Sequence, residues 1–255
     1  MRVQQRQREL SRAHRAKRLP AVVTARNVSD TRKVIAMSNK SAICGPIYLL
    51  VLLTWWGAVF GQEASTVVPA PALDDPHAPG EAAKAVLAGG CYWGTQGLFE
   101  HVKGIKRVIA GFSGGRSDTD GGAESVEITF DPNIISYGEI LQIFFSVAHD
   151  PTQLNRQGPD EGIAYRSDIF YLNADQQRIA QAYIAQLEQA HVFPAKIVTR
   201  LDPFQKFHQV DISQQDYIIK NPRLPYVVMI DQPKLASLKR LFPAAYREFP
   251  VEFRG

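Results

Sequence analysis

The stretch Gly90-Cys91-Tyr92-Trp93-Gly94 places a cysteine between flexible glycines and two aromatics, where a strand-like run, Ala85-Val86-Leu87-Ala88, gives way to a helical pattern. That junction commits this region to a strand followed almost at once by a helix. A thiol at a helix start meets free backbone N–H groups and the positive end of the dipole, which should draw its pKa down from about 8.5 toward neutrality. Tyr92 and Trp93 beside it can wall an apolar pocket for a small, soft group. The competing reading is a buried structural cysteine, since free cysteine is among the most buried residue types. The glycine pair and the adjacent tryptophan favour a reactive thiol.

The formal charge of +4 is unevenly placed. Residues 1–40 hold 11 Lys and Arg against 2 acidic residues, a net of +9, which leaves residues 41–255 at −5. The body is mildly acidic, so the sequence pI of 9.0 gives no support for nucleic-acid binding, and the basic run reads as a solvated tail. Residues 1–36 form this tail and fit an upstream over-extension if Met37 is the true start. From Cys44 to Gly61 the chain is apolar and uncharged, ending in small residues before Gln62-Glu63. With Lys40 as the positive flank, residues 37–61 have the outline of a cleaved export signal. The run is also nearly long enough to span a bilayer, so an uncleaved N-terminal anchor is the alternative. Either way the expected location is extracytoplasmic, periplasmic in a bacterium, with membrane contact only through residues 44–61. If the signal is removed, Cys91 is the one cysteine left.

Residues 62–80, with Pro69, Pro71, Pro76 and Pro79, read as a flexible linker. Residues 81–247 alternate short β-rich runs with helical patterns and no long break, which predicts one domain, and 248–255 read as a C-terminal tail. Strands are expected at Ala83–Ala88, Ile105–Phe112, Glu124–Phe130, Arg166–Leu172 and Ala195–Arg200. Helices are expected from Cys91, from Tyr137 behind the capping box Ser136-x-x-Glu139, from Ala174 behind Asn173, and over Lys234–Phe242. The fold class is α+β, a two-layer domain with a mixed sheet and flanking helices. No phosphate loop, dinucleotide fingerprint or zinc-type spacing occurs, so neither metal nor nucleotide is expected.

A reactive cysteine usually works with a histidine. Of His101, His149, His191 and His208, none is placed as an obvious base; His149, in Ala148-His149-Asp150-Pro151, suits a capping role at a helix end better. Glu124, behind Gly121-Gly122, is a strand-edge carboxylate if solvated. If buried beside an aromatic pocket, its pKa rises and it can donate a proton. Tyr165, in the turn-rich stretch Arg156–Ser167, carries a hydroxyl that can donate to a substrate oxygen.

Taken together, Gly90-Cys91-Tyr92-Trp93-Gly94, Gly122-Ala123-Glu124-Ser125-Val126, Phe130-Asp131-Pro132, His149-Asp150-Pro151-Thr152, Arg156-Gln157-Gly158-Pro159-Asp160, Tyr165-Arg166-Ser167 and Gln215-Asp216-Tyr217 resemble, in order, the motifs of A-type peptide methionine sulfoxide reductases. The resemblance covers about residues 83–245 and implies a ferredoxin-like core. It also implies thiol-dependent reduction of methionine-S-sulfoxide, free or in proteins, as a repair reaction. Cys91 matches the nucleophile that ends as a sulfenic acid, Glu124 the proton donor, and Tyr165 the hydrogen-bond donor to the departing oxygen. Tyr92 and Trp93 match the aromatic pair around the substrate methyl, and Asp160 and Tyr217 complete the pocket. The family implies no bound cofactor, a thioredoxin-like or low-molecular-weight thiol as reductant, and a monomer.

This chain departs from the family pattern in several places. Tyr92 stands where phenylalanine is usual. The loop Gly114–Gly122 is about ten residues shorter than usual and lacks the second catalytic tyrosine. Gly122 replaces a histidine, and Ser213-Gln214 stands where Tyr-His is common. Asn221–Tyr226 contains no resolving cysteine, which implies a one-cysteine cycle. Two other readings compete with the reductase: a binding domain for methionine-like side chains that has lost turnover with the shortened loop, and a one-cysteine peroxidase, which would not need Glu124.

Overall fold

The computed structural model describes residues 65–74 and 82–254. The basic tail and the apolar run, and with them the signal and anchor readings, lie outside the described residues.

Because Ala85, Val86, Leu87 and Ala88 are apolar in succession, β1 (Ala83–Gly89) is suited to burial on both faces, and it occupies the interior of a six-stranded sheet. It runs into helix α1 (Tyr92–Glu100), which crosses to β2 (Ile105–Ser113); β3 (Ala123–Phe130) then returns between β2 and β1. Helix α2 (Tyr137–Ile143), continued by one π-turn to Ala148, leads on to a two-residue hairpin, β4 (Arg156–Gln157) and β5 (Asp160–Glu161). Next come β6 (Ser167–Tyr171), helix α3 (Ala174–Gln189), β7 (Arg200–Pro203), β8 (Phe207–Gln209) and the single turn α4 (Tyr217–Lys220). A π-turn over Val227–Asp231 opens α5 (Gln232–Leu241). The sheet order is β7-β6-β1-β3-β2-β8, antiparallel except for β6 with β7. The inner four, β6-β1-β3-β2, have the expected ferredoxin-like arrangement in a mixed α+β sheet.

The main core joins Leu87 and Ile128 of the sheet to Leu98, Phe99, Ile140, Phe144, Ile179, Tyr183 and Leu238 of the helices. The other side of β1, Val86 and Ala88, meets Ala123 and Phe170 in a small cluster covered by Phe204 and Phe207. The Ser136–Glu139 box forms as expected, with the Glu139 N–H donating to Ser136 Oγ at 3.0 Å and the Ser136 N–H to Glu139 Oε2 at 2.8 Å.

Three expectations need correction. Residues 65–74 are no linker: Val68 is 1% exposed within the core, its N–H donates to Ser146 Oγ, and the Tyr183 hydroxyl donates to Pro69 O at 2.7 Å. The Gly138 N–H donates to Asp74 Oδ1. The apolar and amide groups of α2 and α3 give this arm partners that its proline-rich composition does not reveal. Nor are residues 248–254 a free tail, since the Val251 N–H donates to Glu100 O and the Phe253 N–H to Asp216 Oδ1. Finally, the strand expected at Ala195–Arg200 lies at Arg200–Pro203, while the stretch before it is tied to the domain by the Val198 N–H to Pro151 O.

Candidate active site

Strand register assembles the site. Leu87 pairs with Val126 of β3, and Gly89 with Ser167 of β6. The chain leaving β1 therefore passes the start of β3, which carries Glu124, on one side and the residues just before β6, including Tyr165, on the other. Gly90 takes φ +86° to make the turn, and Cys91 becomes the N-cap of α1. The Tyr92 N–H donates to Glu124 Oε2 at 3.0 Å, and the Cys91 thiol lies close enough to that carboxyl for each to shift the titration of the other.

The electrostatics overturn the expectation of a low-pKa thiol in the free protein. Burial pushes the Cys91 thiol up, and the carboxylates of Glu124 and Asp231 push it further, outweighing the downward pull of the nearby Trp93 N–H. Burial also raises Glu124, to about 7, against the pull of the Tyr92 N–H. The first turn of α1 thus solvates a carboxylate as well as a thiol. Thiol and carboxyl are coupled, so the protons they hold belong to the pair.

Aromatic rings form the wall. Trp93 stacks on Tyr217 with centroids 3.7 Å apart and planes at 6°, and meets Tyr92 and Tyr226 edge-on at 6.2 and 6.0 Å. Its indole N–H donates to Gln214 Oε1 at 3.2 Å. Tyr92 also packs edge-on against Phe112, the cross-strand partner of Glu124. Tyr217 is held by the buried amides before it: Gln215 exchanges hydrogen bonds with the backbone of Ala110, and Gln96 of α1 donates to Gln215 Oε1 at 2.9 Å and accepts from the Asp216 N–H at 3.0 Å. Asp160 accepts a hydrogen bond from the Tyr226 hydroxyl. Burial pushes the Tyr165 hydroxyl up to about 12, with the charges of Glu124, Asp160 and Cys91 adding to it, so it remains a donor at neutral pH.

Behind Tyr165, buried Arg166 ties the site loops together. It donates to Gly121 O of the short loop and to Ile163 O of the 3₁₀ turn bearing Tyr165, both at 3.0 Å, and pairs with Asp168 at 3.2 Å. His149 is buried, in hydrogen-bond contact with Phe144 O and Thr199 Oγ1, and burial lowers its pKa to about 3. It is a neutral structural group. Among the described residues no set of three His, Cys, Asp or Glu side chains is arranged to hold a metal ion.

Cys91, Glu124, Tyr165, Tyr92, Trp93, Asp160 and Tyr217 therefore gather at one end of β1. Two residues that the sequence reading passed over join them. Tyr226 bonds Asp160, and Asp231 has its carboxyl buried against Gly94 of α1. Their one sequence signal is the apolar run Tyr226–Ile230 closed by a carboxylate, Asp231, in place of a polar face.

A nucleophilic thiol, a carboxyl that titrates near neutrality and an aromatic wall suit proton-coupled attack on a soft, oxidised centre. The family model for peptide methionine sulfoxide reductase matches residues 83–245. The chain belongs to the peptide methionine sulfoxide reductase family. Its similarity to the reductase named MsrA 2 of Mesorhizobium japonicum is 49% identity over 189 residues, 70% of this chain and 96% of that one. The corresponding reductase of Synechocystis is 45% identical over 199 residues, covering 73% and 93%. Among solved structures, the reduced form of Mxr1 from Saccharomyces cerevisiae aligns with a TM-score of 0.50 at 25% identity, over 58% of this chain and 90% of that one. The peptide methionine sulfoxide reductase fold thus accounts for the sheet order, and the site lies where its central strand meets α1.

Proposed function

We propose that this domain reduces methionine-S-sulfoxide, free or in proteins, by a one-cysteine cycle. Sγ of Cys91 bonds to the sulfoxide sulfur while the proton shared with Glu124 moves to the sulfoxide oxygen. The sulfur–oxygen bond then breaks, the hydroxyl ends on Sγ, and the thioether leaves. One thiol and one sulfoxide become one sulfenic acid and one thioether, two electrons passing from Sγ to the substrate sulfur with no net proton change. Tyr165 donates a hydrogen bond to the oxygen as charge grows on it. Tyr92 and Trp93 enclose the methyl group, with Asp160 and Tyr217 closing the pocket. The observation that carries this reading is the buried thiol beside the half-buried Glu124, whose carboxyl titrates near pH 7 and accepts from the Tyr92 N–H, against the Trp93–Tyr217 stack.

No second cysteine stands among the described residues, which supports an external thiol reductant, thioredoxin-like or of low molecular weight. One thiol forms a mixed disulfide with Cys91 and releases water; a second frees Cys91 and leaves as a disulfide. The apolar run 44–61 supports an exported or membrane-anchored protein that repairs oxidised methionine outside the cytoplasm.

The test is a single turnover on racemic methionine sulfoxide in a blocked peptide without reductant. Loss of about one equivalent of the S epimer alone, with sulfenic acid on Cys91, is expected. Consumption of neither epimer, with the thiol still titratable, would favour the binding-only reading.

A further inference from the structure

Asp231 is a buried carboxyl with no part in the steps above. It closes the π-turn before α5, its side chain is 0% exposed, and neither oxygen has a hydrogen-bond partner. Such a group is costly to keep ionised, and the sequence around it could have continued as an apolar run. Its position is built: a Cβ on Gly94 would collide with the Asp231 carboxylate, so the glycine in the first turn of α1 makes room for it. Lys234, one turn along α5, brings its ammonium to the same spot, 3.4 Å from where that Cβ would lie.

The first turn of a helix offers about half a positive charge, and its effect dies away within that turn. Here three acids draw on it: the Cys91 thiol at the N-cap, Glu124 on the Tyr92 N–H, and Asp231 against Gly94. A thiolate forming at Cys91 faces Glu124 from β3, Asp231 from the π-turn and Asp160 from β5, with no cation among its principal neighbours. The hydroxyls of Tyr92, Tyr165 and Tyr226 feel the same thiol. Asp231 itself faces Lys234, which draws it down, and Asp160, which pushes it up; burial dominates and places it at about 7.

We propose that Asp231 is a positioning residue for the reaction, a buried carboxylate that holds Cys91 as a thiol in the free enzyme and so shields it from oxidants other than the substrate. This rests on Cys91 being the nucleophile. A bound sulfoxide brings a partner for the proton, and the thiol then ionises where it is used. A packing role alone would give Asp231 no influence on when the thiol ionises.

The experiment is the pH profile of Cys91 alkylation by iodoacetamide, without sulfoxide, in the full-length protein and in Asp231→Asn and Asp231→Glu, each checked for cooperative thermal unfolding. The wild-type midpoint is expected above the free-cysteine value of about 8.5. Removing the charge in Asp231→Asn is expected to lower the midpoint by about one pH unit, so that the thiolate is about tenfold more populated in the alkaline range where Asp231 is fully ionised, with the two profiles converging below about pH 7; Asp231→Glu keeps the wild-type profile. A wild-type midpoint at or below the free-cysteine value overturns the proposal even if the variants fail to fold. An unchanged midpoint in Asp231→Asn overturns it too. Sulfoxide turnover is scored separately, so loss of the proposed reaction would be distinguishable from loss of this field.

Discussion

Replacing Arg166 by methionine removes the clamp between the short loop and the turn bearing Tyr165, and its effect should depend strongly on pH. Two hydrogen bonds, to Gly121 O and Ile163 O, are lost at any pH; at about 1 kcal/mol each they amount to about 2 kcal/mol. The rest depends on Asp168, fully buried, which keeps only the half-exposed Arg200 at 3.8 Å. Burial, with Asp202 beside it, already raises Asp168 to about 7 against the pull of Arg166. A carboxyl whose folded pKa lies above its unfolded value near 3.9 favours the folded state less as pH rises through that interval. In the wild type this loss is complete near pH 7. Without the guanidinium the folded pKa moves higher and the loss continues upward, adding about 1.4 kcal/mol by pH 8 for each pH unit crossed. The destabilisation should be about 2 kcal/mol at pH 5 and about 3.5 kcal/mol at pH 8, within the range for breaking a buried ion pair. Urea unfolding followed by circular dichroism at several pH values measures it. Equal destabilisation at pH 5 and pH 8 would refute the role given to Asp168, as would failure of an added Asp168→Asn to abolish the difference.

Glu124→Gln should slow sulfoxide reduction by at least about 10²-fold while Cys91 still reacts with iodoacetamide; unchanged turnover would remove Glu124 as proton donor. Since the reactive pair holds one proton, kcat/KM should rise with pH through about 7, where Glu124 sheds the second proton, and fall only at the higher pH where the buried thiol ionises. A profile that falls through pH 7 would contradict this. Glu100 is buried with its pKa raised by burial and Asp216 to about 9, so the folded state loses stability as pH rises toward 9; Glu100→Gln should flatten that alkaline decline in thermal unfolding. Tyr183→Phe removes the hydroxyl that holds Pro69 O and should cost about 1 kcal/mol, with faster proteolysis confined to residues 65–74.

Most of the secondary structure was legible because each element carries its own signal. Alternation in Ser125–Phe130 marks β3, the Ser136–Glu139 box starts α2, and Asn173 caps α3, whose side chain accepts from the Gln176 N–H. The three-residue β8 and the four-residue α4 fall below what periodicity can resolve, and β7 is an edge strand defined by its parallel partner rather than by its own composition. The members of the site named from sequence lie where register brings them, but the upward shift of the Cys91 thiol is not legible in the sequence. A helix dipole can be read within ten residues of chain; Glu124, Asp160 and Asp231 arrive from β3, β5 and the start of α5, and no local pattern reveals that they converge. Asp231 and Tyr226 were hidden for the same reason, as was the docking of residues 65–74, whose partners in α2 and α3 are far along the chain.

The nucleophile follows a strand that is buried along most of its length and lies inside the sheet, paired with β3 over Ala83–Leu87 and with β6 over Val86–Gly89. Sub-global openings that release the edge strands β7 and β8 would leave β1 protected, so its amides should exchange with deuterium among the slowest in the domain. Fluctuations that loosen the periphery therefore do not uncover Cys91 from behind. Reagents too large for the folded site must enter from the front, where Tyr165, Tyr217 and Tyr226 stand on short turns, so their labelling rate would measure the opening of those turns rather than the stability of the whole domain.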